Sequence, residues 1–223
     1  MRIEKLLVHA GFCSRSEARR LAAEGRVTLK NGRVFVDGTD ADYREHYWIM
    51  LNKPKGVVCS TNDPLGVTAL SLLPERYRRM ELFPVGRLDK DSTGLVLMTD
   101  DGEAAHRLLS PKKHHEKLYY VKIDGKLTKN EITAFENGVK LVDNSVMQHA
   151  KLEILTASDT SECLVTLTEG KYHQIKRMFG VYGFPVTALK RLSIGEIKLD
   201  ETLAEGEYRE LTGEETKTLY KTL

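Results

Sequence analysis

The stretch Gly86-Arg87-Leu88-Asp89-Lys90-Asp91-Ser92-Thr93-Gly94-Leu95-Val96-Leu97-Met98-Thr99 joins a polar, glycine-bounded loop to an apolar run. Leu95 to Met98 predicts a strand, since a short apolar run bounded by turn formers fits one. The loop ahead of it carries a carboxylate, Asp89, two residues from the Arg87 guanidinium. Such a loop can aim a carboxylate into a cleft, and an adjacent cation favours the ionised form. Taken singly, Asp89 fits equally well a loop aspartate that caps a turn through its own backbone.

On the C-terminal side, Gly102 to Leu109 reads as a helix. Lys117 to Ile123 has strand composition, with Tyr119, Val121 and Ile123 on one face and Leu118, Tyr120 and Lys122 on the other. Thr128 and Glu131 form a capping box that opens another helix. Leu152 to Leu155 and Cys163 to Leu167 predict short strands, and Lys171 to Phe179 a turn entering a helix whose apolar stripe is Ile175, Met178 and Phe179. On the N-terminal side, Trp48-Ile49-Met50-Leu51 starts a core, and Asn52 to Cys59 reads as strand, turn, strand. Short strands mixed with helices, without a βαβ rhythm, predict an α+β fold rather than a doubly wound sheet.

The front of the chain differs. Ile3, Leu6, Leu7 and Ala10 lie on one helix face, and Gly11 is placed to end that helix. Ser14-Arg15-Ser16-Glu17 is a capping-box sequence for a second helix, with Ala18, Leu21 and Ala22 inward and Gly25 at its end. Val27 to Leu29 and Arg33 to Val36 flank Asn31-Gly32, which predicts a hairpin. Residues 40–47 are polar and form the candidate linker. This helix–turn–helix with a hairpin resembles the RNA-binding module named after ribosomal protein S4, in a shortened form. The resemblance implies that Arg15, Arg19, Arg20 and Arg26 contact RNA phosphates; a solvated basic helix is the plainer alternative.

The 223 residues allow one large domain or a small one joined to a medium one, and the 41% hydrophobic content supports a packed core. The net charge of +2 conceals segregation. Residues 1–35 hold eight lysines and arginines against three acids, residues 171–191 hold five against none, and residues 196–223 hold four against eight acids. Two basic patches suit a polyanionic partner. Cys13, Cys59 and Cys163 are odd in number and widely separated, which predicts reduced, buried thiols rather than a disulfide or zinc set. No apolar leader follows Met1-Arg2-Ile3-Glu4-Lys5 and no run approaches a membrane span, so a cytoplasmic protein without a membrane partner is expected. Nothing suggests an obligate dimer, and a monomer is expected.

Two further stretches combine with the Asp89 loop. Glu116-Lys117-Leu118-Tyr119-Tyr120-Val121 places an aromatic where it is either core or a platform for a base, and Gly170-Lys171-Tyr172-His173-Gln174-Ile175-Lys176-Arg177-Met178-Phe179 is either a solvated basic helix or an RNA contact. In this order the three resemble the motifs of the pseudouridine synthases, and within them the RsuA-type, small-subunit enzymes. Leu51-Asn52-Lys53-Pro54-Lys55-Gly56 and the tail Ala204-Glu205-Gly206-Glu207-Tyr208-Arg209 are also similar to that family, and a front module of the S4 kind is its usual companion.

The resemblance implies an S4-like module over residues 1–42 and a catalytic α+β domain with a mainly antiparallel sheet over 43–223. It implies isomerisation of uridine to pseudouridine in ribosomal RNA, with 16S RNA or a small-subunit assembly intermediate as the favoured partner. Asp89 would be the essential carboxylate, acting at the uracil ring or at the sugar. Lys176 would be its counter-cation and Tyr119 the stacking partner of a flipped-out base. Arg87 would contact the RNA backbone or fill the vacated space, and Lys171 and Arg177 would add RNA contacts. The isomerisation needs no redox equivalent or group carrier, so no cofactor and no metal is expected. His114-His115 lacks helical two-histidine metal spacing, and His173 is expected as a structural or RNA contact. A sister enzyme for 23S RNA and a non-catalytic RNA-binding assembly factor share these features. A hydrolase using Asp89 would need a water-activating base, and no second carboxylate is clearly paired with it.

Overall fold

A computed structural model describes residues 2–110 and 113–223. The front segment holds α1 (Ile3–His9), α2 (Arg15–Ala23) and a three-stranded antiparallel sheet of β1 (Val27–Lys30), β2 (Arg33–Val36) and β3 (Thr39–Asp40). Leu6, Leu7, Ala18, Leu21, Val34 and Val36 close a small core of its own. Ser14 caps α2 by accepting the Glu17 N–H at 3.3 Å. The reciprocal Glu17 bond of the expected capping box is not formed among the described residues; Glu17 faces Arg20 instead, at 4.0 Å.

The remainder is built on a nine-stranded sheet. Its elements are β4 (Trp48–Lys53), α3 (Glu75–Arg79), β5 (Phe83–Val85), β6 (Thr93–Thr99), α4 (Gly102–Leu109), β7 (Lys117–Asp124), α5 (Lys129–Asn137), β8 (Lys151–Thr156), β9 (Thr160–Leu167), α6 (Gln174–Gly180), β10 (Val186–Ile194), β11 (Ile197–Lys198), β12 (Tyr208–Glu210) and α7 (Gly213–Thr222). The spatial order is β12-β4-β6-β10-β7-β9-β8, with β5 on β6 and β11 on β10. Every pairing of these strands is antiparallel except β6 with β10, as the mainly antiparallel α+β expectation requires.

Both faces of the centre are covered. Ile49, Leu51, Val96, Met98, Tyr119 and Val121 join Phe135 and Phe179 in one core. Trp48, Met50, Leu95 and Leu97 join Ala105, Leu108 and Leu219 in the other. A strand covered on both faces reads as an unbroken apolar run, which is why Leu95 to Met98 shows no alternation. The strand expected at Val57-Val58-Cys59 does not form. Val58 makes one isolated bridge with Thr68, and the Val57 carbonyl is taken by the Lys53 ammonium at 2.9 Å, leaving no regular ladder.

The edge of β6 away from β4 is shared: Thr93 and Gly94 pair with β10, whereas Leu97 to Thr99 pair with β5. The loop from Gly86 to Ser92 leaves β5 and returns to β6 beside this change of partner. Gly94 lies at φ +98°, where a Cβ would sit 2.3 Å from the Arg191 carbonyl oxygen of β10. Gly94→Ala is expected to cost at least about 2 kcal/mol, since strained backbone and a backbone clash add. Urea unfolding measures it, and a loss within 0.5 kcal/mol, the scale of a neutral surface change, would refute the argument.

All three cysteines are buried and unpaired, as their spacing predicts. Burial pushes the Cys163 thiol from 9.0 to about 12. A group held protonated in the fold contributes stability that is complete below its unfolded pKa and lost as pH rises through the folded one. Stability is therefore expected to fall more steeply between pH 9 and about 12 than in Cys163→Val; parallel pH curves from chemical denaturation would count against this. Among the described residues no helix is long and apolar enough to cross a membrane.

Candidate active site

The loop carrying Asp89 is held from three sides. Leu88 is buried, and its N–H reaches the Cys59 thiol sulfur at 3.3 Å. The Lys90 carbonyl accepts from the Gly56 N–H at 2.7 Å and lies 3.4 Å from Lys53 Nζ, a fully buried ammonium that also donates to the Pro54 and Val57 carbonyls. Burial pulls the Lys53 pKa down. On the far side, Arg191 of β10 donates from Nε to the Leu95 carbonyl at 2.8 Å and from Nη1 to the Arg87 carbonyl at 3.5 Å. One guanidinium thus ties the start of the loop to the strand that follows it, β6, where that strand changes partner.

The Asp89 carboxylate projects into a cleft of about 1210 Å³ and is partly exposed. Lys176 Nζ, from α6, lies 2.9 Å from its Oδ2, and His173 Nε2 lies 3.4 Å from its Oδ1. Lys176 also donates to Asp91 at 2.6 Å, so two loop carboxylates share one ammonium. Burial lowers the Lys176 pKa, but the hydrogen bonds to Asp91 and Asp89 outweigh it and leave it above its ordinary value. The same lysine holds the Asp91 carboxyl below the usual carboxylate range.

The turn before α6 supplies this geometry. Gln174 is buried, accepts the Lys171 N–H at 3.0 Å and donates to Glu169 at 2.7 Å. His173 adopts a left-handed backbone (φ 50°) and stacks on Tyr172 with ring centroids 3.9 Å apart. Ile175, Met178 and Phe179 anchor α6 in the core, which leaves Lys176 on the cleft side.

Arg87 corrects one expectation: among the described residues it makes no ion pair with Asp89. Leu88 between them is drawn into the core while Arg87 stays exposed on the cleft wall, so the cation at the carboxylate comes from α6. Tyr119 lies in β7 with Val121 and Ile123 on the buried face, and it lines the cleft. Lys171 also lines the cleft and pairs with Glu169 at 3.1 Å. Arg177 points elsewhere and pairs with Asp143. On the front segment, Arg15 and Arg19 line a second cleft of about 670 Å³ with Arg2, Lys5 and Arg79. Arg15 meets Glu81 at 3.3 Å, whereas Arg26 is held by Asp37 and Glu24 away from that cleft. Asp91, Lys53, Lys117 and Arg191 were not expected at the site, and His173, expected as a structural or RNA contact, stands beside Asp89. The signal for Lys53 and Lys117 was a lysine within an otherwise buried strand pattern.

The sequence matches the model of RNA pseudouridylate synthases over residues 46–180. The chain belongs to the RNA pseudouridylate synthase family. It is thus an enzyme, an isomerase acting on RNA. Residues 1–34 of the synthase match the S4 domain. The synthase is 43% identical to the uncharacterized RNA pseudouridine synthase YtzG of Bacillus subtilis, over 98% of each chain. It is 40% identical to ribosomal small subunit pseudouridine synthase A of Vibrio cholerae, covering 99% of this chain and 100% of that one. Against the Escherichia coli protein of the same name identity is 40%, over 96% and 98% of the two chains. A crystal structure of a pseudouridylate synthase superposes with a TM-score of 0.73 at 35% identity over 100% of both chains.

Proposed function

We propose that the synthase converts one uridine of small-subunit ribosomal RNA to pseudouridine, at uridine 516 of 16S RNA, with Asp89 as the catalytic carboxylate. The observation that carries this reading is the placement of Asp89 in the large cleft, 2.9 Å from Lys176, with Tyr119 also lining that cleft. The reaction is an isomerisation: the bond from C1′ to the uracil nitrogen breaks, the base turns, and a carbon–carbon bond forms at C1′. A carboxylate can serve it at the ring or at the sugar only while ionised, and the Lys176 ammonium favours that form.

A stacked uridine is out of reach of Asp89, so the nucleotide flips into the cleft at a cost of a few kcal/mol. Stacking on Tyr119 returns about 1–3 kcal/mol, which is comparable. Arg87, exposed at the cleft, meets the strand beside the target, and Lys171, which also lines the cleft, adds a phosphate contact. Residues 1–42 act as the RNA-positioning module and 43–223 as the catalytic domain. Arg15 and Arg19 supply the salt-sensitive phosphate contacts in this scheme. Arg20, Arg26 and Arg177 line neither cleft and face Glu17, Asp37 and Asp143 instead, so they are less favoured. The chain acts as a monomer without a cofactor.

The test is pseudouridine mapping of 16S and 23S transcripts, and of partly assembled small subunits, after treatment with the purified protein. One new site in 16S RNA supports the assignment. A site in 23S RNA replaces the substrate and keeps the chemistry, and no site in any substrate removes the reading.

A further inference from the structure

The cleft lining includes two buried cations, Lys117 and Arg191. Lys117 opens β7 and Arg191 lies on the adjacent β10, and both line the cleft. The strand register sets Arg191 opposite Tyr119, two residues from Lys117, so the three share one face of the sheet. Lys117 is 7% exposed and Arg191 2%. Lys117 Nζ donates to the His115 carbonyl at 3.2 Å, and Arg191 donates to the Arg87 carbonyl of the loop and the Leu95 carbonyl of β6. Arg191 Nη2 has no partner among the described residues, and no carboxylate there pairs with either cation.

Two buried positive charges without a counter-charge are costly, and the usual remedies are a carboxylate partner or neutralisation. Burial and then the Arg191 charge lower the Lys117 pKa. Burial first, then Lys117 and Lys113, lower the neighbouring His115. Both shifts run in the direction expected where positive charge is crowded and no carboxylate answers it among the described residues. Gly86 borders the region at φ +75°, and a Cβ there would sit 3.0 Å from Leu109 and 4.0 Å from Arg191 Nη1. Ammonium and guanidinium groups are donors only, so they suit an acceptor-rich anion better than a uracil edge, which also presents an N–H. Arginine adds a planar fork that matches phosphate oxygens.

We propose that Lys117 and Arg191 form an anion subsite that takes a backbone phosphate flanking the nucleotide presented to Asp89, an inference that rests on the reading of the cleft given above. The RNA supplies the missing counter-charge, so the subsite forms fully only on the bound strand.

The experiment uses the full chain and a target RNA carrying single, uncharged methylphosphonate linkages, one per molecule, at positions flanking the uridine. Under single turnover, one linkage is expected to slow the wild type at least about 10-fold. Lys117→Gln is expected to show the same loss on natural RNA and no further loss at that linkage, since two changes to one contact do not add. Its salt dependence of RNA affinity should fall by about 0.7 in slope, the value for one single-strand phosphate. No linkage-specific loss in the wild type, or losses that add in Lys117→Gln, would overturn the subsite. A second readout is independent of turnover and of the variant's RNA chemistry: uridine 5′-monophosphate is expected to raise the wild-type Tm where uridine does not. Equal effects of the two ligands would overturn the subsite. Absence of conversion on any RNA, with the phosphate-specific Tm rise intact, would sink the proposed reaction and leave the subsite standing.

Discussion

Asp89→Asn is expected to lower uridine conversion by roughly 10^4-fold or more, the scale seen when a group that acts on the reacting atoms is removed. The carboxamide keeps the shape of the side chain and removes its charge and its nucleophilic oxygen. The fold should survive, because the carboxylate is partly exposed and Lys176 keeps Asp91 at 2.6 Å as a partner. RNA affinity should also survive, since the proposed phosphate contacts lie on other residues. The check is single-turnover mapping together with Tm and an RNA binding curve. A variant with wild-type Tm and affinity and no conversion fits the assignment. Conversion within 10-fold of wild type would exclude Asp89 from the chemistry and turn attention to Asp91, the other carboxylate on Lys176.

What was legible in the sequence depended on whether a residue's role was local. The capping box of Thr128 and Glu131 forms in full because both halves lie within one turn of α5. The helix over Gly102–Leu109 and the alternation of β7 follow the same logic. β10 escaped, although it is central to the sheet. Its middle carries Lys190 and Arg191, and two register shifts break its alternation, so the pattern that marks a strand is disturbed at the site. The misread strand at Val57 to Cys59 has a local cause instead: Lys53, four residues back and buried in β4, takes a carbonyl that a ladder would need, and Val58 is left with one isolated bridge to Thr68. The site itself was legible only in part. No spacing rule links Asp89 to Lys176, which lies far along the chain; only the family resemblance joined them. That resemblance carried nothing about Arg191, whose part in tying the start of the loop to β6 is visible only when β5, β6 and β10 are seen to meet.

Lys176→Met is expected to lower kcat about 10- to 100-fold while RNA affinity changes less than about 3-fold. A hydrogen bond to a charged group contributes ~1.5–3 kcal/mol, and that range sets the size of the loss. A full Coulomb value would overstate it, because both partners are partly exposed and solvent screens them. The stronger argument is what the substitution leaves behind. Asp89 and Asp91 share this ammonium, and without it two carboxylates face one another beside a histidine. Like charges disfavour joint ionisation, and Asp91 loses the cation that holds its carboxyl below the usual range. The acid limb of the kcat profile should therefore move to higher pH, so that raising the pH recovers part of the activity of Lys176→Met. A group that merely packed α6 against the loop would give a loss independent of pH. Lys176→Arg supplies the second arm: it restores the charge with a different donor geometry, so it should recover more activity than Met and place the acid limb near that of the wild type. If Arg and Met lose activity equally at every pH, the ammonium acts by shape alone, and the electrostatic account of the carboxylate fails.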